Sequence, residues 1–260
     1  MPASKRLTLL SWNVNGIRAA SKKGFFAWLA KTSPDVLGLQ ETRASPDILG
    51  PEVLNPPGYV SHWVSGERKG YSGVAVYSRA KPLAVQSGIG IPRFDCEGRF
   101  IAAEFQELTF VTAYFPNGGR GDDRVRYKLD FYDAVLDFCQ KQRKKGKRLV
   151  VSGDYNTAHH PIDLANPEAN GDVSGFLPNE RAWIDKFVAA GYIDTFREFN
   201  DQGGHYTWWD QRIRARERNE GWRIDYHFIS KELRGHLENA FILPDVTGSD
   251  HCPVGITLSF

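Results

Sequence analysis

The sequence predicts an α/β fold in which two mixed β-sheets pack face to face with helices outside. Three observations carry that prediction. Strand-like apolar runs outnumber helical ones, the helical periodicities fall in both halves of the chain, and the implied strand pairings are mixed. With 260 residues, 41% of them hydrophobic and 25% charged, the chain can bury such a core and reads as one domain over residues 1–260.

Taken in order, residues 5–13 read as the first strand, and GFFAWLAKT over 24–32 has helical spacing that Pro34 ends. A second strand follows at 36–40. Residues 43–58, rich in Pro and Gly, read as an irregular surface connection. YVSHWV (59–64) and GVAVYS (73–78) alternate as strands, and 99–105 and 108–114 read as a pair closed by a tight turn at Gln106-Glu107. Residues 124–144 carry the clearest helical stripe, Tyr127, Phe131, Val135, Phe138 and Gln142, and end in the basic run KQRKKGKR, which suits a helix C-terminus. A helix opened by Pro178 runs to Ala190 before Gly191. Residues 192–198 and 205–209 stay ambiguous, 210–221 reads as a polar, basic loop or short helix, and strands at 222–229 and 254–259 complete the chain.

Composition excludes several classes. Three cysteines without a CxxC pair argue against a disulfide scaffold and a zinc site. No run reaches the length of a membrane span, and MPASKRLTLL goes into a strand without a long apolar signal region. The expectation is a soluble, cytoplasmic monomer. A net charge of +2 is too small to announce a nucleic-acid partner by itself, although the basic residues cluster.

The strand ends hold the chemistry. The apolar run LVV (149–151) leads through Ser152-Gly153 to Asp154, with Asn156 two residues on, and side chains two apart on extended chain share a face. A carboxylate that stops a buried strand needs a partner or a use. The pattern recurs: 7–12 ends at Asn13 with Asn15 beyond, 36–40 at Glu41, 222–224 at Asp225, and 246–249 at Asp250-His251. One such ending is an ordinary turn former. Five, chiefly carboxylates and amides, suggest ends that converge on a hard cation and a phosphate.

Taken as one site, Glu41 is a carboxylate ligand for Mg²⁺, and Asn13, Asn15 and Asp250 can complete or flank its shell. His251 beside Asp250, with Asp225 available, offers a carboxylate–imidazole pair. Asp154 can orient or deprotonate a water, Asn156 can hydrogen-bond a developing oxyanion, and Tyr114 can donate its phenol to the same phosphate. The sum is metal-assisted hydrolysis of a phosphate ester. Singly, Tyr114 reads equally as a core aromatic, His251 as a satisfied core histidine and Trp208-Trp209 as core.

The strings SWNVNGIRA, GLQET, RKGYSGVAVYS, YFPNGGR, GDYNTAH, IDLANP, SGFLPNER, YTWW, GWRIDY and GSDHCP, running from Ser11 to Pro253, resemble the exonuclease III family of apurinic/apyrimidinic endonucleases. The resemblance implies a four-layer α/β sandwich and Mg²⁺-dependent hydrolysis, with Mn²⁺ as a substitute, 5′ to an abasic site in double-stranded DNA, with some trimming of 3′ ends. It makes Glu41 the metal ligand with Asn13 and Asp250 near it, and His251 and Asp225 a dyad at the scissile phosphate. Asp154 becomes the carboxylate that handles the water, Asn156 a transition-state hydrogen bond and Tyr114 a phosphate contact. It further implies DNA contacts by Arg18, Lys23, Tyr71 and Asn170, with Asn117 nearer the scissile bond, and places Arg120 and Arg212 against the helix around the lesion. Trp208, Trp222 and Ile224 match the apolar pocket for a flipped-out, baseless sugar, which selects by shape.

The chain also departs from the family pattern. Asn15 stands where many relatives have Asp, Arg43 where Lys is usual, and Trp208 is bulkier than the frequent Phe. The loop 210–220 carries Arg212, Arg214, Arg216 and Arg218. Two alternatives therefore stay open: incision at damaged or uracil-containing nucleotides that keep their base, and hydrolysis of small or lipid phosphoesters on the same fold.

Overall fold

The computed structural model describes residues 5–260. Its strands are β1 (Arg6–Asn13), β2 (Val36–Gln40), β3 (Val60–Val64), β4 (Val74–Ser78), β5 (Ala84–Ser87) and β6 (Phe100–Glu104). They continue with β7 (Thr109–Tyr114), β8 (Leu149–Asp154), β9 (Tyr192–Asp194), β10 (Asp225–Ser230), β11 (Leu237–Ile242) and β12 (Val254–Ser259). The α-helices are α1 (Ile17–Lys22), α2 (Phe25–Thr32), α3 (Pro51–Leu54), α4 (Pro92–Asp95), α5 (Asp122–Lys144) and α6 (Pro178–Ala189). The strands form two six-stranded sheets, β11-β12-β1-β2-β4-β3 and β5-β6-β7-β8-β10-β9. Each has one parallel pair at its centre, β1/β2 or β7/β8, and antiparallel neighbours around it.

Side-chain alternation builds four layers from this order. Leu10, Trp12, Leu37 and Leu39 point out of the first sheet and pack with Ile17, Phe25 and Leu29 of α1 and α2. Val111, Ala113, Leu149, Val151, Tyr226 and Phe228 point out of the second sheet onto α5 and α6. The opposite parity, with Leu9, Phe110, Val150, Ile229 and Ile256, fills the space between the sheets. Gly38 falls on that inner parity, and any Cβ there would lie 2.5 Å from the Thr112 hydroxyl, so the sheets approach closely because this residue has no side chain.

Followed toward one end, the inner parity turns from apolar to polar. Beyond Leu9 come Ser11 and Asn13, beyond Phe110 come Thr112 and Tyr114, and beyond Val150 come Ser152 and Asp154. Gln40 Nε2 donates to Ser11 and, across the gap, to Thr112 at 2.6 Å. The period of two that builds the core therefore also aims the site residues into the cleft between the sheets.

Several expectations change. Residues 222–224 and 246–249 are not strands: Trp222 makes only isolated bridges with Leu164 and Trp208, and 246–249 is an irregular strap. The strand β10 starts at Asp225 instead of ending there, and because it runs antiparallel to β8 its start lies beside that strand's end. Short α1, α3 and α4 and the strands β5 and β11 went unread, while 192–198 resolves into β9 and a 3₁₀ turn. In the basic run that closes α5, Arg143 bonds Glu232 and the Ala190 carbonyl, and Lys147, just beyond the helix, pairs with Glu104. Among the described residues no helix is long and apolar enough to cross a membrane.

Candidate active site

The ends of β1, β2, β7 and β8, the start of β10 and the strap before β12 meet at one edge of the sandwich. Asn13 sits at the centre: its Nδ2 donates to Glu41 Oε1 and Asp154 Oδ2, both at 2.9 Å, and its Oδ1 accepts from the Asn15 backbone N–H. Ser249, which sequence reasoning missed although it stands within the GSDH string, donates to the Asn13 carbonyl at 2.8 Å and accepts from the His251 N–H. Asp250 accepts from Asn15 Nδ2 at 2.7 Å and from Trp208 Nε1 at 3.2 Å.

His251 is buried with Nδ1 2.8 Å from Asp225 Oδ2 and Nε2 3.9 Å from Asp154 Oδ2. Burial opposes its charge, but Asp225 and then Asp154 outweigh it and raise the imidazole well above its usual range. Burial likewise pushes the Asp154 carboxyl up, with His251 pulling it back and Asp225 adding to the rise. Among the described residues, Asp225 Oδ1 is buried without a hydrogen-bond partner. Burial, then Glu41, keep the Tyr114 phenol protonated, so it is a donor. Asn156 donates from its backbone to Asp154 Oδ1 at 2.8 Å and from Nδ2 to the Phe115 carbonyl at 2.9 Å, while its Oδ1 accepts from Asn117.

Backbone strain concentrates here. Asn15, Glu41, Arg43 and Asn156 adopt left-handed conformations, with φ of 46°, 52°, 50° and 50°, a region that costs non-glycine residues about 1–3 kcal/mol each. Glu41 is further held by Arg43, whose Nε lies 2.9 Å from Oε2.

A cavity of about 300 Å³ opens on these groups. Its lining combines the polar Tyr114, Asp154, Asn156 and His251 with the apolar Trp208, Trp222, Ile224 and Val173. Trp208 and Trp222 meet edge to face with centroids 6.4 Å apart, so the wall is rigid and apolar. Two larger clefts of about 720 Å³ lie elsewhere; one of them, lined by Arg18, Lys22 and Arg43, flanks the site.

The residues expected at DNA fall into two groups. Arg18, Asn117, Arg120 and Arg212 are exposed, Arg212 on a surface pair with Asp210. Lys23 bonds the Gly248 carbonyl, Asn170 the Asn166 carbonyl, and the Tyr71 hydroxyl accepts from both Arg99 and Arg124. Arg214 and Arg218 hold surface pairs with Glu217 and Glu220, whereas Arg216 stacks on Trp209 and donates to the carbonyls of Val246 and Ser249. Three of the four loop arginines thus lie in exposed ion pairs, and the fourth braces the strap that carries His251.

The donor set suits a hard cation. One oxygen each of Glu41 and Asp154 and one His251 nitrogen lie within 4.8 Å of one another, an oxygen-rich set without sulfur. Asn13, by contrast, presents its N–H toward this cluster, and both oxygens of Asp250 are already engaged.

A four-layer sandwich with a carboxylate–imidazole cluster between its sheet edges defines a phosphoester hydrolase. Residues 10–251 match the Endonuclease/Exonuclease/phosphatase family, to which the chain belongs. It is 42% identical over 255 residues to an exodeoxyribonuclease of Bacillus subtilis, covering 97% of this chain and 100% of that protein. It is 41% identical over 257 residues to the DNA repair nuclease APEX1 of Danio rerio, covering 97% and 82%. The structure superposes on an AP endonuclease from Archaeoglobus fulgidus with a TM-score of 0.88 at 27% identity, covering 97% of this chain and 99% of the other.

Proposed function

We propose that this protein is a Mg²⁺-dependent DNA repair nuclease that hydrolyses the phosphodiester 5′ to an abasic site, leaving a 3′-hydroxyl and a 5′-deoxyribose phosphate, and that it also trims 3′ ends. The observation that carries this is the apolar Trp208–Trp222–Ile224 surface that lines one 300 Å³ cavity together with Asp154, Asn156 and His251. That volume accepts a sugar without its base, and the polar side reaches the phosphate next to it.

Glu41 and Asp154 would hold the cation, with the protonated His251 beside the set and outside it. When bound, the cation supplies Lewis-acid stabilisation of the phosphoryl oxygens. Asp154 orients the attacking water and takes its proton. Asn156 and the Tyr114 phenol donate to the phosphoryl oxygens as their charge grows. The His251 imidazolium, fixed by Asp225, lies across from Asp154 and adds positive charge at the scissile phosphate. Arg18, Lys23, Tyr71, Asn117, Arg120, Asn170 and Arg212 hold the DNA backbone, and the enzyme works as a monomer.

The test is incision of a duplex carrying one reduced abasic analogue, which cannot undergo β-elimination, with Mg²⁺ and then with EDTA. A metal-dependent cut on the 5′ side supports the assignment; folded protein that leaves the duplex whole in both conditions overturns it. A uracil duplex in the same assay tests the broader reading, which the exposed loop arginines favour.

A further inference from the structure

A charged pair that no role above uses lies beneath the site. Lys128 on α5 and Glu180 in the first turn of α6 are both fully buried, with Nζ 2.6 Å from Oε1. Such pairs are often no more stabilising than apolar residues of the same volume, so what they hold is more informative than what they contribute. The Lys128 ammonium places its other two protons on the Asn156 carbonyl at 2.6 Å and the Thr157 hydroxyl at 2.7 Å, so all three donors are used. Glu180 accepts from the Ser174 hydroxyl at 2.8 Å and from the backbone N–H groups of Gly175 at 2.5 Å and Leu177 at 3.1 Å. One end of the pair therefore grips the loop after β8 and the other grips the wall of the cavity. The two loops also touch directly, Ala158 N–H donating to the Gly175 carbonyl at 2.8 Å.

Asn156 is in the left-handed region, where a carbonyl keeps its direction only if its surroundings hold it. We propose that Lys128 and Glu180 are a positioning pair that sets the Asn156 side chain against the wall of the sugar pocket, so that a sugar seated there finds the phosphate-binding amide already aligned. This rests on the nuclease reading above. Neither residue touches substrate; both act through Asn156.

The experiment measures incision of the reduced abasic duplex at saturating Mg²⁺, well below each variant's Tm, for wild type, Lys128→Met, Asn156→Ala and the double variant. Lys128→Met is expected to lower kcat about tenfold or more with KM within about twofold, and the double variant to match Asn156→Ala within about threefold, because residues acting through one group are not additive. Ser174→Ala, on the outer loop, covers the case in which Lys128→Met does not fold: kcat is expected to fall about threefold, again without further loss in the Asn156→Ala background. A folded Lys128→Met or Ser174→Ala that keeps wild-type kcat and loses only Tm overturns the proposal, as do losses that multiply in the double variants. A wild-type protein that does not cut overturns the nuclease reading itself, a different and separately visible outcome.

Discussion

Asp154 and Asp225 are direct partners across the antiparallel pair β8/β10, so two carboxylates sit side by side on the same inward face. Like charges opposed in this way are unfavourable. His251 resolves the conflict by placing an imidazole 2.8 Å from one and 3.9 Å from the other. Removing it with His251→Ala is expected to abolish incision, by about 10³-fold or more, with abasic DNA still bound. Asp225→Asn is expected to cost roughly 10²–10⁴ in kcat, because the amide no longer fixes the tautomer and charge of the ring. Gel-shift binding measured beside single-turnover rates checks both; loss of binding in step with rate would show that the dyad is needed for docking rather than chemistry.

On the proposed nuclease reading, Arg43 and the cation would compete for Glu41. The guanidinium lies on Oε2 and is about half exposed, so the pair is a surface salt bridge of modest strength. Arg43→Ala is expected to lower the Mg²⁺ concentration for half-maximal incision by about two- to fivefold, because it frees the Glu41 carboxylate. A metal titration settles the sign: an increased metal requirement would mean that Arg43 orients Glu41 for the cation.

The convergence of Glu41, Asp154 and His251 was legible because strand alternation and polar strand ends obey simple periodic rules, and the motif strings added the roles expected of them. Residues 222–224 misled: Trp222, Arg223 and Ile224 have strand composition, yet Arg223 is buried in ion pairs with Asp163 and Asp194, which bend that segment out of the sheet. Residues 246–249 misled for a related reason, since Arg216 from a distant loop collects the Val246 and Ser249 carbonyls that a neighbouring strand would have used. Lys128 stayed hidden because a lysine on a helical stripe reads as an interruption of the core until the fold supplies Glu180. Each of these depends on partners far away in the chain, which periodicity cannot carry.

The apolar wall makes selectivity separable from chemistry. Trp222 packs edge to face on both Trp208 and Phe176, and it lies close enough to Gly175 that a Cβ there would come within 3.1 Å of its ring. Trp222→Ala opens this side of the cavity without touching Asp154 or His251. The ratio of incision at an abasic site to incision of undamaged duplex is expected to fall about tenfold or more, mainly through the abasic rate. An unchanged ratio in kcat/KM would place the selection in DNA bending instead of in the pocket.

His227 ties the two sheets together away from the chemistry and makes stability depend on pH. Its Nδ1 accepts from the Ser152 hydroxyl, and its Nε2 donates across the gap to the Val254 carbonyl at 3.1 Å, so the ring is held neutral. Burial lowers its pKa from 6.5 to about 4. The unfolded chain then binds a proton that the folded chain refuses between those values. Its contribution is fully present above pH 6.5 and is lost as the pH falls toward 4, about 3 kcal/mol in total. Urea unfolding at pH 7.5 and pH 4.5 is expected to show that loss in wild type. His227→Gln, which keeps a donor and an acceptor but cannot take up a proton, is expected to be less stable at pH 7.5 and to lose correspondingly less on acidification; an equal loss in both proteins would move the acid sensitivity to other groups.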